Sequence, residues 1–306
     1  MHPVRPFGPA LAILASMVSV NVGAAFAKGL FPVVGSAGVT ALRVGLAACL
    51  LLAFWRPWHR PPARVDARNL LIYGLMLGCM NLTIYAAFAR IPIGVAIAIE
   101  VTGPLALVLL SSRRPRDVAW VACAVAGLWL LSPLPSPFSG GASSTALDPV
   151  GVAWALAAAF CWAMYIVFGK RVSTLEGGHA VAWGMLVASF CAVPVGLAQA
   201  GSALFAPGVL AAGVAVAVLS SILPYSLEMA ALARLPRRLF GILVSAGPAI
   251  GALAGYFVLG ERLSTVQWLA IALIIAATAG SAATTGRDQA GSQVIQPKKD
   301  RQVRKL

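Results

Sequence analysis

The chain has 306 residues, 60% of them hydrophobic and 10% charged, with a mean hydropathy of +0.88 and a formal net charge of +14. Soluble domains carry about 25% charged residues, so the composition excludes one and leaves a polytopic helical membrane protein. The positive charge does not point to nucleic acid, because Lys and Arg sit in short clusters between apolar runs, where topology and anionic lipid account for them.

Residues 1–27 imitate a signal peptide, with Arg5, an apolar run and Ala25-Phe26-Ala27. Nine more apolar runs follow, which favours an uncleaved first helix. The predicted spans are 9–28, 36–55, 69–88, 92–112, 118–134, 150–169, 178–198, 207–231, 239–259 and 264–284. The fifth is near the lower limit for crossing a bilayer. After it, Pro133 to Pro149 is rich in Pro, Ser and Gly, lacks Lys and Arg, and divides the chain into halves at 9–134 and 150–284. Residues 285–306 read as a disordered basic tail, with Lys298, Lys299, Arg301, Arg304 and Lys305.

With the amino terminus placed in the cytoplasm, nineteen Lys and Arg fall inside and three outside: Lys28, Arg90 and Arg262. That asymmetry predicts both termini inside. The halves also repeat. Ala89-Arg90-Ile91-Pro92 matches Ala233-Arg234-Leu235-Pro236 at an offset of 144, and the same offset takes Gly103-Pro104 onto Gly247-Pro248. Five spans per half is an odd number, so the second half enters the membrane inverted. The expected fold class is therefore all-α, with ten transmembrane helices in two inverted five-helix repeats. Gly103, Pro104, Gly247 and Pro248 are its helix-break or hinge positions.

The stretch Ile91 to Arg116 is the one around which the rest is organised. It carries Glu100 near the middle of an apolar run, three residues before Gly103-Pro104. A charge at bilayer depth is costly, so it faces a partner or a watery cavity. Of nine acidic residues, only Glu100 and Glu228 lie within spans. Glu100 reads as a proton-exchanging group or as a structural partner of Arg43. Glu228 lies near Arg234, Arg237 and Arg238, where an interfacial ion pair competes with a substrate-binding role. Arg43, mid-span in the second helix, could neutralise Glu100, bind a substrate carboxylate bidentately, or snorkel to an interface. Lys28 is an interfacial anchor or a gate at the outer mouth. Asn21, Asn81, Tyr85, Thr102 and Tyr225 are the remaining hydrogen-bonding candidates for a small zwitterion, with helix-packing glue as the bland reading. Asn81 and Tyr85, four apart, share a face.

The five cysteines lie in apolar runs without CxxC spacing, and the three histidines lie outside span centres. Neither set implies a metal or a disulfide. With no histidine deep in a span and no paired intramembrane Asp, a membrane-embedded enzyme is disfavoured, and no GxxxxGK[ST] loop marks a primary pump.

AAFAKGLFPVVGSAGVTALR (24–43), YGLMLGCMN (73–81), AIEVTGPLALVLLSSRRP (98–115), ILPYSLEMAALARLP (222–236) and FVLGERLSTVQWLA (257–270) together resemble the drug/metabolite transporter superfamily. The likeness is to its ten-helix branch with paired EamA domains, and within it to the threonine/homoserine exporters. It covers roughly residues 9–284. The resemblance implies a secondary exporter of small amino acids in a bacterial inner membrane, driven by proton antiport, with no cofactor and no nucleic-acid partner. Export of drugs or other metabolites is the alternative, and a homodimer is left open. One departure stands out. Such exporters often carry an acidic residue before the proline of the ninth span, where this chain has Ala246-Gly247-Pro248.

Overall fold

A computed structural model gives the fold. It describes residues 7–59, 64–111, 115–131, 147–172, 179–224, 227 and 242–294. All regular structure among them is helical. In chain order the helices are α1 (Phe7–Gly29), α2 (Phe31–Trp55), α3 (Arg64–Phe88), α4 (Ile93–Glu100), α5 (Thr102–Ser111) and α6 (Pro115–Leu130). Then come α7 (Pro149–Val172), α8 (His179–Ala200), α9 (Pro207–Ala217), α10 (Gly247–Leu259) and α11 (Thr265–Val294). A π-helical turn, Val218–Ile222, extends α9.

Six helical segments have the length and hydropathy to cross a membrane: Pro9–Gly29, Phe31–Trp55, Asp66–Phe88, Pro149–Val172, His179–Phe205 and Ile242–Leu259. Four shorter apolar segments are Ile93–Leu107, Val118–Leu130, Pro207–Ile222 and Thr265–Ser281. Large apolar side chains cover the outside, with Phe54 and Phe257 each 77% exposed. Such a surface suits hydrocarbon and would be a liability in water.

The span expected over 92–112 is two helices, α4 and α5, separated at Val101. Pro104 has no N–H to return to the Glu100 carbonyl, so the helix cannot run through unbroken. A second break falls at Ser245 and Ala246, just ahead of Gly247-Pro248. Val101 and Ser245 are again 144 positions apart. A further kink lies inside α2 at Gly35, whose φ of 70° is left-handed. There Gln199 of α8 accepts the Ala37 N–H at 2.8 Å and supplies the cap.

α4 is the centre of the bundle. Ile93, Val95, Ala96, Ala98 and Ile99 are fully buried. A helix apolar on every face has to be surrounded, and α4 is packed against α3, α7, α10 and α11. Its approach to α10 is close because Gly94 lies on Ala252, where an added Cβ would come within 2.6 Å of the Ala252 backbone. Elsewhere α2 packs on α8, α6 on α11, α3 on α7, and α1 on α9 and the π turn.

At the carboxyl end, α11 continues to Val294, through the first ten residues of the stretch expected to be a disordered tail. The sequence from 282 to 294 has no proline, and the helix runs on through Gly286 and Gly291. Residues 295–306 lie outside the described residues.

Candidate transport site

Glu100 is the last residue of α4 and is 9% exposed. Its carboxylate makes no hydrogen bond or ion pair with another described residue, although it feels the charge of Arg43. Beside it, the Thr102 hydroxyl donates to the Ile99 carbonyl at 2.6 Å, which satisfies one of the carbonyls exposed by the break.

Arg43 is hydrogen-bonded within the bundle. Its guanidinium donates from Nη1 to the Tyr85 hydroxyl at 3.2 Å and from Nη2 to the Ser220 carbonyl at 3.1 Å, and its Nε lies 3.5 Å from Ser221 Oγ. Its Cζ also lies 5.5 Å from the centroid of the Tyr85 ring. Tyr85 is 1% exposed and sits between Phe31 and Phe88, with ring centroids 6.0 and 5.4 Å away.

Besides Tyr85, Arg43 thus holds the π turn, an element that leaves backbone carbonyls out of register with their donors. Two serines of α1 serve this turn and the residues that follow it. Ser19 donates to the Leu219 carbonyl at 2.6 Å, and Ser16 to the Pro224 carbonyl at 3.3 Å. α1 reaches it closely because Gly23 sits against Ser220. Sequence reasoning does not single out serines 16, 19, 220 and 221. Their spacing is visible in the chain, but only the π turn shows what they bind.

The other candidates are less concentrated. Asn21 and Asn81 each donate back to their own helix, to the Met17 carbonyl at 2.7 Å and the Leu77 carbonyl at 2.8 Å. Asn21 Oδ1 also faces Gly251 of α10. Asn81 and Tyr85 are both buried on α3, as their spacing requires, but Tyr85 alone is hydrogen-bonded to Arg43. Tyr225 and Glu228 lie outside the described residues. Among the described residues, no group of three or more His, Cys, Asp or Glu side chains could hold a metal. Cys79 and Cys191 are free thiols 4.0 Å apart.

The two expected hinges differ. Gly103 is pressed onto Ala159 of α7, whereas a Cβ at Gly247 would find its nearest neighbours, Met17 Sδ and Ile97 Cγ2, at 3.9 and 4.0 Å. Gly103 is thus a packing requirement. Gly247 is not.

The EamA-like transporter family model matches residues 149–282. The threonine/homoserine exporter RhtA of Salmonella typhimurium strain LT2 is 48% identical over 286 residues, 94% of this chain and 95% of that protein. The chain belongs to the EamA-like transporter family. Its membership makes it a transporter and not an enzyme. RhtA of Escherichia coli K12 is 47% identical over 280 residues, 92% of this chain and 93% of that protein. The uncharacterised inner membrane transporter YedA of E. coli K12 is 30% identical over 80% of each chain. A crystal structure of a further protein, 21% identical, matches at a TM-score of 0.59 over 92% of this chain and 99% of that one, which shows the fold alone. For a member of this transporter family, a buried carboxylate beside a broken helix is the feature that needs a mechanism.

Proposed function

We propose that this protein exports small amino acids of the threonine/homoserine kind across the bacterial inner membrane, in exchange for protons. Glu100 would couple the two fluxes. The observation that carries the reading is a carboxylate buried at the break between α4 and α5 with no hydrogen-bonding or ion-pairing partner among the described residues. A permanently unpaired carboxylate at that depth would only cost stability, so a partner that comes and goes is the economical explanation. The proton and a substrate ammonium are two such partners. Arg43, braced by Tyr85, would receive the substrate carboxylate, since a guanidinium fork matches its two oxygens. The names of the RhtA relatives supply the substrate class.

The architecture we infer is two inverted repeats of five helices, over 9–134 and 150–284, with both termini in the cytoplasm. Support comes from the breaks at Val101 and Ser245, which share the offset of the sequence repeat. It also comes from packing that sets α2 on α8, α4 on α10 and α6 on α11, each pair formed by equivalent spans of the two halves.

Counterflow of labelled amino acids in proteoliposomes tests the substrate. Threonine or homoserine is expected to exchange, and failure of all small neutral amino acids would sink the claim. Orientation has its own test. Single cysteines at Ser143 and Ser292 are expected to label from opposite faces, and labelling from one face refutes the ten-span arrangement.

Arg43→Lys should raise the KM for the amino acid by about tenfold or more, because an ammonium cannot hold the Tyr85 hydroxyl, the Ser220 carbonyl and a carboxylate in one plane. An unchanged KM and rate would return Arg43 to a purely structural role.

A further inference from the structure

One end of the bundle is tied together by side chains from both halves of the chain. Lys28, at the end of α1, has its Nζ 2.6 Å from Oε1 of Glu261 and donates a second hydrogen bond to the Ile91 carbonyl at 3.2 Å. The other oxygen of Glu261 accepts the N–H of Ile93, the first residue of α4, at 3.0 Å. One carboxylate thus neutralises Lys28 and caps the helix that bears Glu100 at its far end, about 10 Å away at the usual helical rise.

The placement of Glu261 is built in. Gly260 ends α10 with a φ of 69°, and the N–H groups of Gly260 and Glu261 return to the carbonyls of Tyr256 and Gly255, both at 3.1 Å. This is a left-handed αL ending, and it brings the next side chain back over its own helix. Gly255 provides the space, since a Cβ there would run into the Glu261 carboxylate.

A second pair lies two residues along the α3–α4 turn. Arg90 Nη1 is 2.8 Å from Asp148 Oδ2, and Asp148 also accepts the Val150 N–H at 2.9 Å. Arg90 and Val150 hold the Asp148 carboxyl below its ordinary range, so that carboxylate stays charged at neutral pH. The two pairs are not equal. Arg90 and Asp148 are 48% and 31% exposed, and ion pairs that wet contribute little. Lys28 and Glu261 are only 22% and 13% exposed.

We propose that the Lys28–Glu261 pair is the outer seal of the transport path, closed in this structure and parted when substrate is released. The proposal rests on the exporter reading above, under which this end faces outward. A solute leaving Glu100 toward this end passes the ends of α1, α4 and α10, the three helix ends that the pair holds together. An ion pair suits this task better than an apolar plug, because water entering a parted seal resolvates both charges. Glu261 and Lys28 are positioning residues here, since neither touches the proposed substrate site.

The test uses the full chain with its five native cysteines replaced and Ile97→Cys as a reporter. Ile97 is half-buried, one turn along α4 from Ile93 and against Gly251 of α10. In right-side-out vesicles, an impermeant maleimide added outside should label the reporter about fivefold faster or more in Glu261→Gln and in Lys28→Met, the range expected when one contact stops favouring one state. The double variant should gain nothing over either single, because one shared contact is lost once. Lys28→Arg should stay near the parent rate. Unchanged labelling in both singles, additive gains, or equal gains from both faces would overturn the seal. Labelling uses no substrate, so the seal is tested independently of whether threonine is the cargo. Should the charge-loss variants fail to insert, Lys28→Cys with Glu261→Cys joined by a reducible bis-thiol tether decides. Counterflow should stop under the tether and return on reduction, and counterflow that continues under the tether would overturn the proposal.

Discussion

Vesicles carrying Glu100→Gln are expected to insert normally, to exchange little or no substrate, and to build no gradient when a pH difference is imposed. An exporter must couple an uphill solute flux to a downhill one, and one titratable group in the path suffices. When protonated, Glu100 is neutral, and the bilayer-depth penalty for a charge, at least about 2.5–3.5 kcal/mol on insertion scales, does not oppose reorientation. When ionised, it can hold a substrate ammonium. Proton and substrate then compete for one site, and antiport follows without a second coupling group. Gln keeps the shape but cannot exchange a proton. Folding should survive, because the Glu100 carboxylate makes no hydrogen bond that the substitution would break among the described residues. Substrate binding, where any remains, should lose its pH dependence. Glu100→Gln vesicles that still concentrate substrate under a pH gradient would show that coupling lies elsewhere.

Around that carboxylate the site divides its tasks. The break at Val101 leaves α4 free to end at Glu100, and the π turn after α9 offers carbonyls to Arg43 and to Ser19, with Ser16 bonded to Pro224 just beyond it. Both are backbone irregularities within apolar helices, tolerated because side chains complete their hydrogen bonding. Arg43 joins them, with Tyr85 bracing it against Phe31 and Phe88.

Much of this is legible in the sequence. Glu100 stands out because an apolar run tolerates no idle charge, and Gly-Pro marks a break because proline lacks a donor. The family is legible from motifs spread across the spans. What cannot be read depends on which helices become neighbours. Arg43 has three open readings in sequence, none of which names Tyr85 or Ser220, and only the packing of α2 near α3 and the π turn brings those two to it. Glu261 looks like a loop residue, and its reach to Lys28 and Ile93 follows from a left-handed Gly260 that composition does not reveal. The π turn leaves no signature, since Val218-Leu219-Ser220-Ser221-Ile222 would continue an α-helix equally well. Symmetry misleads at the hinges, because Gly103 and Gly247 hold equivalent places in the repeat but unlike surroundings.

That difference predicts unlike outcomes for one chemical change. Gly103→Ala places a Cβ into the carbonyl of Ala159, and the clashing atom belongs to the backbone of α7. No rotamer can relieve it. Either α5 lifts from α7 or the α4–α5 break deforms, and overpacking of this kind costs about 1–3 kcal/mol or more. Among the described residues Gly247→Ala meets only ordinary contacts, and at the first residue of α10, directly before Pro248, the usual gain of Ala over Gly in a helix is offset, so the change is close to neutral. In detergent, Gly103→Ala should therefore lower the melting temperature by several degrees and reduce the yield of folded protein, while Gly247→Ala should match the parent. Transport should follow the same order, because Glu100 ends α4 only three residues from Gly103, across the break that the clash would deform. Equal melting temperatures for the two variants would mean that the contact of α5 with α7 is looser than the structure shows, and a loss confined to Gly247→Ala would make the second break the more demanding of the two.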